Sequence, residues 1–155
     1  MSIIAPIFEG HEIMEKPKKY RITKHQAELA VRVTGESQAD LFANSAIALF
    51  DVMVADMEKI ECKERLPLEV EGTDRDDLMV NWVRELLYLY QGSGYLLREF
   101  TIREVKDTLV KAEVAGEKID PDRHEIAQEI AAVAFHKSRM EKTGNQWTAH
   151  LIFEL

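Results

Sequence analysis

Hydrophobic and polar residues alternate along several short stretches of the chain. The first runs from Ala27 to Val33, where every second residue is apolar. A period of two is typical of a half-buried strand, and it places Glu28 on the polar face. Comparable patterns predict further strands over residues 66–71, 95–105 and 108–115. Pro67 favours an edge position or a strand start for the first of these three.

Two longer stretches repeat apolar residues at helical spacing, and each follows a predicted strand. Ser37 is the predicted N-cap of a helix that extends to about Asp56. Thr73 is the predicted cap of a second helix, whose first turn is acidic and suits the positive end of the helix dipole. Gly92 and Gly94 end this helix. The order of strand, cap and helix therefore occurs twice.

The last third of the chain predicts β structure. Residues 130–141 and 146–155 should form a closing hairpin around 143–145, after a polar loop over 116–128. Because strands outnumber helices and several connections are short, we predict an α+β fold. Two amphipathic helices would pack on a largely antiparallel sheet. Trp82 and Trp147 occupy core-facing positions of their periodic elements.

The length of 155 residues and the 46% hydrophobic content suit one globular domain. Residues 1–18 show no period, so we expect an N-terminal extension before a single domain over 19–155. No apolar stretch approaches the length of a membrane span, and we expect no membrane partner. The single cysteine, Cys62, permits no intrachain disulfide and favours a reducing cytoplasm. Its basic neighbours Lys63 and Arg65 could in principle lower the pKa of the thiol, but a lone unpaired thiol is usually inert.

Charge and motifs narrow the function. The formal net charge of −8 argues against direct, high-affinity binding to nucleic-acid phosphates. The chain has no Gly-rich phosphate loop, no Gly-x-Ser-x-Gly and no Cys-x-x-Cys, and its five histidines lack zincin spacing. No familiar enzyme class is therefore indicated by a motif.

The acids on the polar faces of the predicted strands are candidate metal ligands. Glu154 is the penultimate residue, so the carboxylate of Leu155 would lie one residue away. Oxygen donors of this kind suit Mg²⁺, Ca²⁺ or Mn²⁺. Three carboxylates would meet if the strands that carry Glu28 and Glu154 are neighbours. The alternative is that these acids are simply solvated, as exposed acids usually are.

Several segments resemble the archease family in their order and spacing. The stretch His25-Gln26-Ala27-Glu28 is similar to the family's His-Thr-Ala-Asp, and the end Ile152-Phe153-Glu154-Leu155 is similar to its Ile-Phe-Asp-Ile. Residues 116–125 resemble its Gly-Glu-x-x-Asp-Pro-x-x-His-Glu. Further similarity lies in 35–37, 44–53 and 82–90, so the resemblance runs from about Tyr20 to Leu155.

This resemblance implies a function and a partner. Archeases assist RtcB-type RNA ligases, which join RNA ends with a 2′,3′-cyclic phosphate or 3′-phosphate to 5′-hydroxyl ends. The ligase uses GTP and Mn²⁺ and passes through a guanylylated histidine, and archease speeds guanylylation and allows multiple turnovers. The resemblance thus implies a non-enzymatic ligase activator in tRNA splicing or RNA repair. It assigns a divalent metal to Glu28, Glu154 and Leu155, whereas GTP belongs to the ligase.

Three departures from the family pattern concern the site. Both metal aspartates are glutamates here, the family's threonine is Gln26, and the lysine implicated in ligase activation is Ala131. Lys24 would share a face with Glu28 on one continuous strand, so it is a candidate for the missing charge. His25, beside Glu28, either supports the site or packs in the fold.

His124 follows the Asp120-Pro121 turn and is a further supporting candidate, expected to fix the loop.

Three functions stay open. The chain activates a ligase through a metal-bearing acidic tip, or it is a protein-binding, chaperone-like module that has lost the activation chemistry, which Ala131 favours. The third is a metal-dependent hydrolase that uses Glu28 and Glu154, although it would lack a histidine-rich ligand set. Metal binding separates the second function from the others, and dependence on a ligase separates the first from the third.

Overall fold

A computed structural model describes residues 19–25, 27–135 and 137–155. The extension predicted over 1–18 therefore lies outside the described residues, as do Gln26 and His136. The strands are β1 (Tyr20–His25), β2 (Glu28–Gly35), β3 (Glu64–Glu71), β4 (Tyr95–Lys106), β5 (Leu109–Lys118), β6 (Ala132–Val133), β7 (Arg139–Thr143) and β8 (Gln146–Glu154). The helices are α1 (Gln38–Met53), α2 (Arg75–Ser93) and a 3-10 helix (Met57–Lys59).

The strands form two sheets in which all described pairings are antiparallel. One sheet has the order β1-β2-β8-β6, with β7 also paired to β8, and the other has the order β3-β5-β4. The helix α1 packs against strands of both sheets and against α2. The predicted α+β class is confirmed, and so is the edge position of β3, which carries Pro67.

The two helices meet in the core that the periodic patterns predicted. Trp82 of α2 is fully buried, and its indole N–H donates to the Phe42 carbonyl oxygen of α1 at 2.9 Å. The two rings pack edge to face with centroids 6.1 Å apart. Trp147 is also buried, and Arg75 and Lys142 lie over its ring. Both tryptophans thus lie in the core, as predicted.

The two strand-to-helix junctions have the same geometry. A Cβ at Gly35 would lie 2.6 Å from the Leu41 backbone nitrogen, and one at Gly72 would lie 2.5 Å from that of Leu78. At each junction an asparagine of the helix donates to a strand carbonyl ten residues earlier, from Asn44 to Thr34 and from Asn81 to Glu71. Only glycine allows the helix to start this close to the strand.

The helix caps agree with the predictions in part. Ser37 caps α1 by accepting from the Asp40 N–H at 3.0 Å. The cap of α2 is Asp74 and not the predicted Thr73, whose own N–H and hydroxyl donate to Asp77. Gly94 ends α2 with a φ of 74°, a conformation that glycine adopts without strain. The helix α1 ends at Met53, three residues before the predicted end.

The C-terminal third departs most from the predictions. The hairpin of β7 and β8 is confirmed, with Gly144 at a φ of 63°. The single strand predicted over 130–141 is wrong, because β6 and β7 are separated by a turn. The predicted loop over 116–128 begins too early, since β5 continues to Lys118. There a Cβ at Gly116 would lie 2.0 Å from the Leu96 carbonyl oxygen, so the close strand approach requires glycine.

Candidate functional site

The two candidate acids face each other across neighbouring strands. The strands β2 and β8 pair antiparallel, and their register places Glu28 directly opposite Glu154. Directly opposed residues have Cβ atoms roughly 4.5–5.5 Å apart, so the two carboxylates share one small surface region. We call Glu28, Glu154 and Leu155 the acidic tip. The condition stated from the sequence, that these strands are neighbours, is met.

Backbone hydrogen bonds hold the end of β8 on both sides. On one side the Leu155 N–H donates to the Ala27 carbonyl oxygen at 2.9 Å. On the other side the Ala131 N–H donates to the Glu154 carbonyl oxygen at 2.7 Å, and Ala132 is the register partner of Glu154. The backbone of Glu154 is therefore fixed between two neighbours. Ala131 brings only a methyl group to this place.

A lysine that the sequence did not predict contacts the acidic tip. The Lys137 ammonium lies 3.0 Å from Oε2 of Glu28 and forms an ion pair with it. Lys137 belongs to the turn between β6 and β7, which the buried Ser138 fixes. The Ser138 hydroxyl donates to the Ala134 carbonyl oxygen at 2.7 Å and accepts from the Ile152 N–H at 3.1 Å. No local sequence pattern marks this pair, because 109 residues separate its members.

The register corrects one premise about Lys24. The prediction placed Lys24 and Glu28 on one continuous strand, but β1 ends at His25 and β2 begins at Glu28. The two strands pair so that His25 lies opposite Glu28 and Lys24 lies opposite Leu29. The shared-face argument for Lys24 was therefore wrong. The roles of Lys24 and His25 at the tip stay predictions.

His124 belongs to a second, separate cluster. Its Nδ1 accepts from the Asp120 N–H at 2.9 Å, which places the ring hydrogen on Nε2. That Nε2 lies 3.1 Å from the Lys59 carbonyl oxygen and 3.1 Å from Oε2 of Glu117. We call Glu117, Arg123 and His124 the loop clamp. It ties the loop after β5 to the 3-10 helix, so the expectation that His124 fixes this loop agrees with its contacts.

Glu117 is the centre of the loop clamp. Its side chain is only 4% exposed and accepts from Arg123, from the Glu61 N–H at 2.6 Å and from His124. Burial alone would raise the pKa of this carboxyl, but the Arg123 hydrogen bond, the Glu61 N–H and the nearby positive charge outweigh burial. They lower the pKa of Glu117 to about 2. Its oxygens are occupied, so Glu117 serves the fold.

The basic neighbours of Cys62 do not activate its thiol. Burial, followed by the charge of Glu99, raises the pKa of the thiol, and Arg98 and Arg65 offset this only in part. The lowering that the basic neighbours could in principle cause is outweighed by burial and by Glu99 of β4, whose proximity the sequence does not reveal. A thiol with a raised pKa is a weak nucleophile at neutral pH.

The donor chemistry of the acidic tip fits a hard divalent cation. Carboxylates at opposed strand positions present oxygen ligands on one side, and the backbone of Leu155 lies beside them. Within residues 19–25, 27–135 and 137–155, no three acidic, histidine or cysteine side chains group as a metal site. A cation at the tip would therefore need backbone oxygen or water besides Glu28 and Glu154.

These features define a class of protein: a small α+β domain that carries an acidic strand end beside a fixed turn. Comparisons with known proteins narrow this class. The profile of the archease protein family matches residues 20–155. The chain belongs to the archease family.

No helix in the described part of the chain has the length and apolar character needed to cross a bilayer.

Individual relatives agree with this assignment. Protein archease of Pyrococcus abyssi is 36% identical over 139 residues, which cover 87% of this chain and 97% of that protein. Protein archease of Methanopyrus kandleri is 32% identical over 135 residues, covering 85% and 96%. The solution structure of Methanobacterium thermoautotrophicum protein 1598 has a TM-score of 0.74 at 26% identity, covering 90% of this chain and all (100%) of that one.

A second solved structure shares the fold alone. The Thermotoga maritima protein, described as an archease and possible chaperone, has a TM-score of 0.58 at 18% identity and covers 94% of this chain. The fold class predicted from the sequence and the family resemblance are thus both confirmed.

Proposed function

We propose that this chain is an accessory protein, not itself an enzyme, that activates an RtcB-type RNA ligase in tRNA splicing or RNA repair. The observation that carries the proposal is the direct opposition of Glu28 and Glu154 at the end of β2 and β8. This places two carboxylates at the position where the family resemblance implies a metal. The ligase, and not this chain, would use GTP.

The acidic tip would hold a divalent cation, Ca²⁺, Mg²⁺ or Mn²⁺. Glu28 and Glu154 would each supply carboxylate oxygen, and Leu155 would supply a further oxygen. The bound cation would supply local positive charge. The protein's own contribution is to hold the ligands. The Ala131 N–H donates to the Glu154 carbonyl oxygen and the Leu155 N–H donates to the Ala27 carbonyl oxygen, and these two bonds fix the chain around Glu154.

The chain would act on the ligase and not on the RNA. Its net charge of −8 opposes close approach to phosphates. The turn that carries Lys137 also carries Phe135, a residue that is 45% exposed. An exposed aromatic residue next to charged groups is typical of a protein-binding surface. We therefore propose that the ligase contacts the acidic tip and Phe135. We also propose that the protein acts in the cytoplasm.

The test is RNA ligation by the partner ligase at substoichiometric enzyme, with and without this protein. The wild type should raise turnover, and Glu28→Ala and Glu154→Ala should lose most of the increase. Glu104→Ala is the matched control, because Glu104 is also a strand glutamate in an ion pair, with side-chain exposure of 38% against 35% for Glu28. Equal activity of all four proteins would refute a role for the tip.

A docking module is the second candidate function, and the methyl group of Ala131 favours it. Where the family resemblance implies an activating lysine, Ala131 places an uncharged side chain next to Glu154. A module of this kind would bind the ligase without raising its turnover. Binding measured by calorimetry beside the ligation assay separates the two functions.

A further inference from the structure

We propose that the Lys137 ammonium and a divalent cation compete for Glu28, so that metal binding at the acidic tip displaces an internal positive charge. This inference rests on the proposed function, because it assumes a metal-binding tip, and it concerns how that tip is regulated. Its basis is the ion pair of 3.0 Å between Lys137 and Glu28.

The position of Lys137 follows from the backbone. The turn before β7 is closed by Ser138, whose buried hydroxyl bonds Ala134 of the same turn and Ile152 of β8. The N–H of Ala134 also donates to the Ile152 carbonyl oxygen at 2.8 Å. Lys137 is therefore attached to the strand that carries Glu154, beside the strand that carries Glu28. The ammonium reaches the tip from a fixed point.

An ammonium on Glu28 changes the tip in two ways. It neutralises one of the two opposed carboxylates, which weakens the attraction of the tip for a dication. It also occupies Oε2 of Glu28, one of the two carboxylate oxygens that this residue would offer to a cation. Both effects disappear when the lysine side chain swings into solvent.

The exposure of the pair makes this exchange feasible. The side chains of Lys137 and Glu28 are 62% and 35% exposed, so water can replace either partner. Exposed ion pairs contribute little to stability and are screened by salt. Lys137 would therefore lower the affinity for metal without abolishing it. The tip would load only when the metal concentration is sufficient to displace the ammonium.

The experiment is a Mn²⁺ titration of the full chain without ligase, followed by the loss of the EPR signal of the free ion at low ionic strength. Lys137→Met removes the charge and keeps the length, whereas Lys137→Arg keeps the charge. Lys106→Met is the matched control, because Lys106 forms a 3.0 Å pair with Glu104 at exposures of 66% and 38%. The control removes the same net charge from a site outside the tip.

Lys137→Met should bind Mn²⁺ about threefold more tightly than the wild type, within the range that exposed ion pairs contribute. Lys137→Arg and Lys106→Met should bind as the wild type does, and 0.5 M salt should reduce the difference. Equal or weaker binding by Lys137→Met would overturn the inference, as would an equal gain in Lys106→Met or no Mn²⁺ binding by any variant. A failure of ligase activation would leave these affinities unchanged, so the two proposals fail separately.

Discussion

Removing the charge of Glu117 should destabilise the fold by an amount that its pKa predicts. The pKa of this carboxyl is lowered from 4.5 to about 2, although burial opposes the lowering. This lowering of the pKa corresponds to roughly 3 kcal/mol in favour of the charged form. Glu117→Gln keeps the shape and one acceptor oxygen but gives up the charge. We therefore expect the free energy of unfolding to fall by about 2–4 kcal/mol at pH 7.

The assay is urea unfolding at pH 7 with Glu113→Gln as the control. Glu113 lies on the same strand and pairs with Arg65 and Arg103, but its side chain is 35% exposed. Exposed pairs of this kind contribute about 0–1 kcal/mol, so the control should lose little. Equal losses in Glu117→Gln and Glu113→Gln would refute the argument that burial and hydrogen bonding make Glu117 different.

The pH dependence has a definite sign. A carboxyl with a lowered pKa in the folded state stabilises the fold fully above its unfolded pKa of 4.5, and this stabilisation is lost as the pH falls toward about 2. The stability difference between wild type and Glu117→Gln should therefore be constant above pH 5.5 and shrink between pH 4.5 and 2. A difference that stays constant down to pH 3 would contradict the low pKa.

Two further predictions concern the strand-to-helix junction and the proposed contact surface. Gly72→Ala should lower the free energy of unfolding by about 1–3 kcal/mol, because the new Cβ would lie 2.5 Å from the Leu78 backbone nitrogen. Gly92→Ala is the control: Gly92 lies in α2 with open space around it, so this change should raise the free energy of unfolding by about 0.5–1 kcal/mol. Urea unfolding measures both. Phe135→Ser should weaken binding to the ligase by about fivefold or more, as measured by calorimetry. Tyr88→Ser is the control and should leave binding unchanged, because Tyr88 has a similar exposure (48% against 45%) but lies in the groove between α2 and β3. A loss of binding in both variants would argue against a specific contact at Phe135.

Local periodicity made most elements predictable. The strand β2 and both helices carry clear patterns because each buries one face against the core. Two of the misses lie at turns that contain no glycine, proline or asparagine. No glycine, proline or asparagine marks the end of β1, and the turn before β7 depends on the hydroxyl of Ser138. A side-chain hydrogen bond to a distant strand leaves no local signal.

The candidate site was predictable only in part, since its contacts are between distant parts of the chain. The pairing of β2 with β8 was a condition in the prediction, because antiparallel neighbours cannot be assigned from alternation alone. Lys137 had no pattern to indicate it. Glu117 was placed in a polar loop, although it lies in β5 and is buried, because a charged residue in a polar segment resembles a solvated one.

The contrast between Glu117 and Glu28 bears on the proposed cation site. Glu117 is buried and accepts from Arg123, the Glu61 N–H and His124, so a ligand could gain its oxygens only by breaking these bonds. Glu28 is partly exposed and its partner Lys137 can be replaced at little cost. The same residue type thus stabilises the fold where its partners are buried and stays available where its partner is exposed. This difference supports the proposal that a cation exchanges with Lys137 at the acidic tip, whereas the loop clamp stabilises the fold.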